Sequence, residues 1–322
     1  MHVLMSCMKD EGPYLLEFVA HHLVLGFDRI LIASNDCSDG TDDLLDALAR
    51  RGFVRHLRNQ LAPGDVPQHA GYDALRARFG LDGVGWLMML DADEFLHVQT
   101  GDGSVQALTA AAGSAAGPGV GPPAGLAVDI IVLNAMTFGT VKGAVWQPGR
   151  VCAQFPDRLV LTDKINGAVK SLTRRPERFR GIHNHHMVGY RGAAPLQVMR
   201  ADGSVFEVAA DVPLWTRLRA LPVDQIRHQL AHYNHYAIKT ADSFAARKAR
   251  GRGAVAETTP ETLRHTEAYF EARAKAGTPD DRIAVYADRV KAKMTEMLTF
   301  RGIRKRQAEA EARYLALLAP HR

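Results

Sequence analysis

The stretch that decides the fold is Trp86-Leu87-Met88-Met89-Leu90-Asp91-Ala92-Asp93-Glu94-Phe95. Its opening apolar run is too short for a helix and predicts a buried strand of a parallel sheet. Side chains at i and i+2 of an extended segment point the same way, so Asp91 and Asp93 can share one face. Open α/β sheets bind ligands beyond the carboxyl ends of their strands. The two carboxylates are therefore candidates to hold Mg²⁺ or Mn²⁺, which would in turn hold a diphosphate. The alternative is an acidic strand end before a helix N-cap.

The segments around this stretch alternate between strand and helix patterns. Pro13 suits the first position of a helix, and Gly26 suits the position after its end. The alternation predicts an α/β fold with a doubly wound, mostly parallel sheet. The predicted strands are 3–8, 29–33, 53–57, 86–90 and 126–133, and the predicted helices are 13–25, 42–51 and 69–79.

The last third of the chain has a different pattern. From residue 214 onward it predicts helices, ending in a long charged helix or helix pair over about 280–318. The change of pattern predicts an α/β domain over 1–213. A basic helical region over 214–322 would pack on it or extend from it.

Composition limits the class of protein. With 322 residues and 47% apolar content, the chain can bury a full core. Its three cysteines form no Cys-x-x-Cys pair, which disfavours a disulfide framework or a cysteine zinc site. The N-terminus lacks the pattern of a signal peptide, and no apolar run is long enough to span a bilayer. These features predict a cytoplasmic protein, with peripheral contact at the inner membrane face as a further expectation.

Charge is distributed unevenly. Residues 1–216 carry a net charge of −4 and residues 217–322 a net charge of +9. A basic C-terminal third suggests an anionic partner such as a nucleotide or a membrane surface, or else solvated helical faces. No known RNA- or DNA-binding motif is present, so we expect no nucleic-acid partner.

Polar residues follow the first two predicted strands, namely Glu11, Asn35 and Asp36. In a doubly wound sheet these loops meet near the end of the strand that carries Asp91. Their oxygens could accept hydrogen bonds from a nucleobase or ribose, or could serve only as turn and helix-terminus residues. Neither a P-loop nor a Gly-x-Gly-x-x-Gly follows a strand, which disfavours those two classes of nucleotide site.

Histidines and lysines supply further candidates. His183 and His185 would share a face if extended, and a neutral imidazole from either could complete a metal's ligand set. His232 and His235 form a similar cluster later in the chain. The basic residues that flank these clusters could neutralise a phosphate: Lys170, Arg174, Lys239 and Lys248.

Several motifs together resemble the glycosyltransferase family 2-like proteins, and more specifically a bacterial subgroup related to the family 92 glycosyltransferases. The resemblance covers residues 3–251. The matching motifs are Lys9-Asp10-Glu11-Gly12-Pro13, Asn35-Asp36-Cys37-Ser38-Asp39-Gly40-Thr41, Leu90-Asp91-Ala92-Asp93-Glu94-Phe95, Phe138-Gly139-Thr140, Lys170-Ser171, Arg175-Pro176, His183-Asn184-His185 and Asn234-His235-Tyr236.

The resemblance implies an A-type glycosyltransferase fold and a nucleotide-diphosphate sugar donor, with 1–213 as the nucleotide-sugar-binding and catalytic domain. Glu11 and Asp36 would contact the nucleotide, Asp91 the ribose or the metal, and Asp93 the metal that bridges the diphosphate. Glu94 and Asp157 are candidates for the base that deprotonates an acceptor hydroxyl. The acceptor would be a saccharide or a lipid-linked molecule, in the synthesis of a surface polysaccharide or glycolipid.

Two other functions remain open at the level of sequence. A metal-dependent phosphoesterase could use Asp91, Asp93, His183 and His185 on a phosphate ester. A non-catalytic module could instead grip a membrane or nucleic acid with basic helices that include 301–306.

Overall fold

A computed structural model describes residues 1–113, 126–251, 253–257, 259, 262–275 and 277–322. The first part of the chain alternates strand and helix as the sequence predicts. Its four strands pair in parallel in the order β3-β2-β1-β4. These elements are β1 (His2–Met8), α1 (Gly12–Val24), β2 (Arg29–Asn35), α2 (Thr41–Arg50), β3 (Arg55–Asn59), α3 (Pro67–Phe79) and β4 (Trp86–Met89).

The same strands feed two separate cores because successive side chains point to opposite faces of a sheet. From β1, Leu4 and Met8 pack on the face that carries α1 and α2, while Val3 and Met5 pack on the face that carries α3. Strands buried on both faces need near-continuous apolar sequence, which β1, β2 and β4 have. The predicted α/β class, with a parallel core and helices on both faces, is confirmed.

The rest of the sheet is mixed. Its main path continues from β4 in the order β8-β6-β11-β12, and β8 runs antiparallel to both β4 and β6. The elements in this part of the chain are β5 (Glu94–Val98), α4 (Val105–Ala111), β6 (Ile130–Thr137), α5 (Val151–Gln154), β7 (Asp157–Arg158), β8 (Val169–Arg174), β9 (Phe179–Ile182), β10 (Met187–Tyr190), β11 (Leu196–Arg200), β12 (Val205–Val208) and α6 (Trp215–Leu218).

The prediction that the chain is helical from residue 214 onward is wrong at two segments, of which the shorter is the two-residue strand Thr278–Pro279. The strand β13 (Ala231–His235) pairs antiparallel with β5 and parallel with β6. Its sequence, Ala-His-Tyr-Asn-His, has too few aliphatic residues to predict a buried strand. The segment is a strand because it pairs with a neighbour on each side, and this tertiary context outweighs the weak local pattern. The division at residue 213 stays a prediction.

The predicted terminal helix pair is present and packs on α1 and α2. The Tyr14 and Tyr314 rings meet edge to face, with centroids 5.7 Å apart, where α1 contacts the last helix. None of the described helices is long and apolar enough to cross a membrane. The C-terminal elements are α7 (Ala241–Arg250), α8 (Glu267–Glu271), β14 (Thr278–Pro279), α9 (Ala287–Thr299) and α10 (Arg301–Leu318).

Candidate functional site

A cavity of about 450 Å³ lies at the carboxyl ends of β1, β2 and β4. Glu11 enters it from the loop after β1, and Asn35 from the end of β2. Asp91 and Asp93 enter it from the turn after β4. Four of the residues singled out from the sequence therefore line one cavity, at the edge where a parallel sheet collects the ends of its strands.

Asp36 faces a different space. It lines a neighbouring cavity of about 350 Å³, which also contacts Lys9, Glu11 and Arg250. Its backbone is left-handed, with φ of 44°, a conformation that Asn and Asp tolerate better than other non-glycine residues. Among the predicted nucleotide-binding residues, only Glu11 lines both cavities.

Asp10, which the sequence reasoning passed over, joins the two loops at this edge. Its carboxylate accepts hydrogen bonds from the backbone N–H of Ser38 at 2.6 Å and of Asp39 at 3.1 Å. Asp39 in turn accepts from the N–H of Gly12 at 2.8 Å and from the N–H and hydroxyl of Thr41. These bonds fix the loop after β1 against the loop after β2, so both present their side chains in a set orientation.

Asp93 is almost completely buried, with Arg247 and His235 beside its carboxylate. Its Oδ2 lies 2.5 Å from the guanidinium of Arg247 and 3.9 Å from the imidazole of His235. Burial alone would raise the pKa of Asp93, but Arg247, His235 and Lys239 outweigh it and lower that pKa well below its usual range. The carboxylate is therefore charged at neutral pH.

Asp91 and Glu94 share a buried cation, Lys170. The ammonium of Lys170 lies 3.2 Å from Asp91 Oδ2 and 2.8 Å from Glu94 Oε2, and donates to the Asn184 carbonyl at 2.9 Å. Burial works against the charge on Lys170, yet Asp91 and Glu94 raise its pKa. Lys170 lies behind the cavity wall, so the structure gives it a role in positioning Asp91 and no direct access to a nucleotide.

Neither predicted base lies in the cavity. Glu94 is enclosed by Lys170 and the N–H of Asp91, and burial raises its pKa while Lys170 opposes that rise. Asp157 lies in β7, which pairs with β14, and lines neither cavity. Both positions disfavour a role in deprotonating an acceptor.

His183 and His185 do not lie with the carboxylates, so the structure does not bring the predicted four-residue ligand set together. The chain turns between β9 and β10 instead of staying extended, and the His183 ring stacks near His185 and His186, with centroids 5.8 and 4.9 Å apart. His185 Nδ1 is hydrogen bonded to the Val169 carbonyl at 2.7 Å. Across the described part of the chain, no three His, Cys, Asp or Glu residues are placed to hold a metal together. Among residues 183–186, which form this turn, only Asn184 lines the 450 Å³ cavity.

The carboxylates of Asp91 and Asp93 suit a cation that is also coordinated by a bound ligand. Mg²⁺ is commonly held by one or two protein carboxylates together with substrate phosphates and water. Asp93 is ionised, and the Asp91 side chain keeps 26% of its surface exposed. The site therefore suits a metal that arrives with a diphosphate better than one held in an all-protein cage.

Two arginines of α7 complete the cavity wall, and the sequence reasoning did not single them out. Arg247 and Arg250 line both cavities. Arg250 donates to Glu11 Oε1 at 3.1 Å from both terminal nitrogens and also to the Lys9 carbonyl. Their spacing of three residues places them on one face of a helix, and that spacing within a basic run was the available signal.

The other basic residues that the sequence suggested as phosphate ligands lie in different environments. Lys239 is buried with its ammonium 4.3 Å from the centre of the Tyr14 ring and 4.0 Å from Glu11 Oε2. Burial lowers the pKa of Lys239. Lys248 is exposed on α7 and Arg174 ends β8, and neither lines a cavity.

Comparison with known proteins points to one family. No family model matches the sequence. A glycosyltransferase family 92 protein of Ricinus communis is 33% identical over 104 residues, which are 31% of this chain and 18% of that protein. A family 92 protein of Oryza sativa subsp. japonica is 29% identical over 100 residues, 30% of this chain and 16% of that protein. This chain is similar to family 92 glycosyltransferases.

The similarity is partial, because the chain spans less than a fifth of the length of these relatives. It confirms the resemblance found in the motifs for about a third of the chain. Among solved structures, the S. aureus TarS fragment 1–349 matches with a TM-score of 0.29 and 11% identity, over 54% of this chain and 46% of that one.

Proposed function

We propose that this chain is a metal-dependent glycosyltransferase that moves a sugar from a nucleotide-diphosphate donor to an acceptor hydroxyl. The observation that supports it most is the cavity that gathers Glu11, Asn35, Asp91 and Asp93 at the ends of parallel strands. The partial similarity to family 92 glycosyltransferases supports the same class of reaction.

Each residue of the cavity has a separate role in this proposal. Asp91 and Asp93 would hold Mg²⁺ or Mn²⁺, which stabilises charge on the departing diphosphate. Lys170 holds Asp91 in place from behind the cavity wall. Glu11 and Asn35 would offer oxygens to the nucleoside, and the two hydrogen bonds from Arg250 hold the Glu11 carboxylate in its orientation.

The volume of the cavity agrees with this assignment. Ligand pockets in proteins commonly occupy about 300–1,000 Å³, and 450 Å³ lies within that range. A saccharide or lipid-linked acceptor, and a role in surface polysaccharide or glycolipid synthesis, belong to the same proposal. Contact of the basic C-terminal helices with a membrane surface stays a prediction, as does a cytoplasmic location.

The test is to incubate the protein with UDP-sugars and GDP-sugars, with Mn²⁺ or with a chelator. We expect slow release of the nucleoside diphosphate that requires the metal and that accelerates when an acceptor is supplied. Release of inorganic phosphate from a phosphate ester would favour the phosphoesterase instead. Absence of any metal-dependent turnover or nucleotide binding would contradict both.

A further inference from the structure

Arg247 occupies the point where the two cavities meet. It projects from α7 and lines both the 450 Å³ cavity and the 350 Å³ cavity. A ligand that extended from the ends of β1 and β4 toward α7 would therefore pass this charged side chain.

The present partners of Arg247 use only part of its hydrogen-bonding capacity. One terminal nitrogen donates to Asp93 Oδ2 at 2.5 Å and to the Ala237 carbonyl at 2.9 Å. Its Nε is buried and has no acceptor among the residues that the structure describes. A guanidinium carries five N–H donors, and a buried donor without a partner costs free energy. An anionic ligand with several oxygens would satisfy these donors.

The helix that carries Arg247 is firmly attached at its beginning. Thr240 and Ser243 form a capping box there, and Asp242 accepts from the Trp146 N–H at 3.0 Å and from Arg322 at 2.9 Å. With the helix fixed, Arg247 can change partners by rotating its own side chain.

While Arg247 is hydrogen bonded to Asp93 Oδ2, that oxygen is not free to coordinate a cation. A divalent cation and a guanidinium compete for the same carboxylate oxygen, since both draw on its negative charge. Resting on the proposed function, we propose that Arg247 binds the diphosphate of the donor and that, before the donor arrives, it shields Asp93. When the cation and the donor bind, the ion pair between Arg247 and Asp93 would be replaced by two others. Asp93 would hold the cation, and Arg247 would hold the diphosphate.

The exchange predicts opposite effects of one substitution on two ligands. In Arg247→Gln, Mn²⁺ alone should bind about tenfold more tightly, because its competitor is gone. With Mn²⁺ present, UDP or GDP should bind about tenfold more weakly, because a charge-assisted contact to the diphosphate is lost. Titration calorimetry of the purified full chain at pH 7.5 measures both.

The variants Lys248→Gln and Arg247→Lys provide the controls. Lys248 is exposed on the same helix, so K248Q should match the wild type for both ligands. R247K keeps the charge without the planar fork, so it should weaken nucleotide binding while leaving Mn²⁺ affinity near the wild-type value. It also keeps the test possible if R247Q does not fold. In the double variant D93N/R247Q, the gain in Mn²⁺ affinity should disappear.

Unchanged Mn²⁺ affinity in R247Q, or a fall in affinity for both ligands, would overturn the inference. Unchanged nucleotide affinity in R247Q and R247K would do so as well. If the wild type with Mn²⁺ binds neither UDP nor GDP, the proposed function fails. The Mn²⁺ titrations of wild type and R247Q then still decide whether Arg247 competes for Asp93.

Discussion

The turn Asp91–Glu94 and the turn His183–His186 both concentrate side chains that bind metals, yet the structure uses them differently. Asp91 and Asp93 line the large cavity, whereas the histidines stack on one another and bond to nearby backbone. The acidic turn follows a parallel strand, whose end opens toward the ligand edge of the sheet. The histidine turn joins the short antiparallel pair β9 and β10 beside that edge. Position on the sheet therefore decides which side chains reach the cavity more than the density of ligand-type residues does.

The largest expected effect concerns Asp93. We expect Asp93→Asn to reduce metal-dependent sugar transfer by at least about a thousandfold, because it removes a charged oxygen beside the leaving diphosphate. Asn keeps the shape of the side chain, which matters because Asp93 is buried against Arg247. Release of nucleoside diphosphate over time measures the effect. Asp73→Asn, at an exposed position of α3, is the control, and full turnover by D93N would refute the site.

Lys170 connects the two turns and gives the next largest effect, on stability. Lys170→Met leaves Asp91 and Glu94 without their shared cation and frees the Asn184 carbonyl. Removing one partner of a buried ion pair costs about 3–5 kcal/mol in the free energy of unfolding. Urea denaturation measures this cost. Lys164→Met, at an exposed position, should cost little, and an equal loss in both variants would contradict the role of Lys170.

The histidine turn should affect acid stability more than catalysis. Burial and neighbouring charges lower the pKa of His183 to about 4, from about 6.5 in an unfolded chain. Between these values the unfolded chain binds more protons, so stability is present above pH 6.5 and is lost as pH falls toward 4. His183→Gln should flatten this dependence, measured as melting temperature against pH. Its transfer rate at pH 7.5 should change less than about threefold, and a loss like that of D93N would restore His183 as a metal ligand.

The smallest expected effect is at Asp157. This residue lies in β7, outside both cavities, so Asp157→Asn should change the transfer rate less than about twofold. A loss of a hundredfold or more, with the melting temperature unchanged, would instead identify Asp157 as the base.

The sequence predicted those parts of the fold and site that depend on local pattern. Apolar runs located β1, β2 and β4, and their parallel order brought Glu11, Asn35, Asp91 and Asp93 to one edge. Arg247 and Arg250 were not predicted because the carboxylates that they contact, Asp93 and Glu11, lie more than 150 residues away along the chain. Only tertiary packing of α7 across the cavity creates those contacts.

The strand β13 was not predicted from the sequence for a related reason. Its polar sequence suits a strand only because β5 and β6 supply a partner on each side. The resemblance motifs included Asn234-His235-Tyr236, but a motif does not by itself assign its residues to a sheet.

The late position of β13 in the sequence also affects how the protein is made. A ribosome delivers β5 and β6 roughly a hundred residues before it delivers β13, so the edges that β13 will cover stay open during that interval. Exposed strand edges can pair with other chains, and at synthesis rates of about 5–20 residues per second the interval lasts several seconds or longer. A chain released before residue 235 would keep those edges permanently, and we expect such fragments to aggregate.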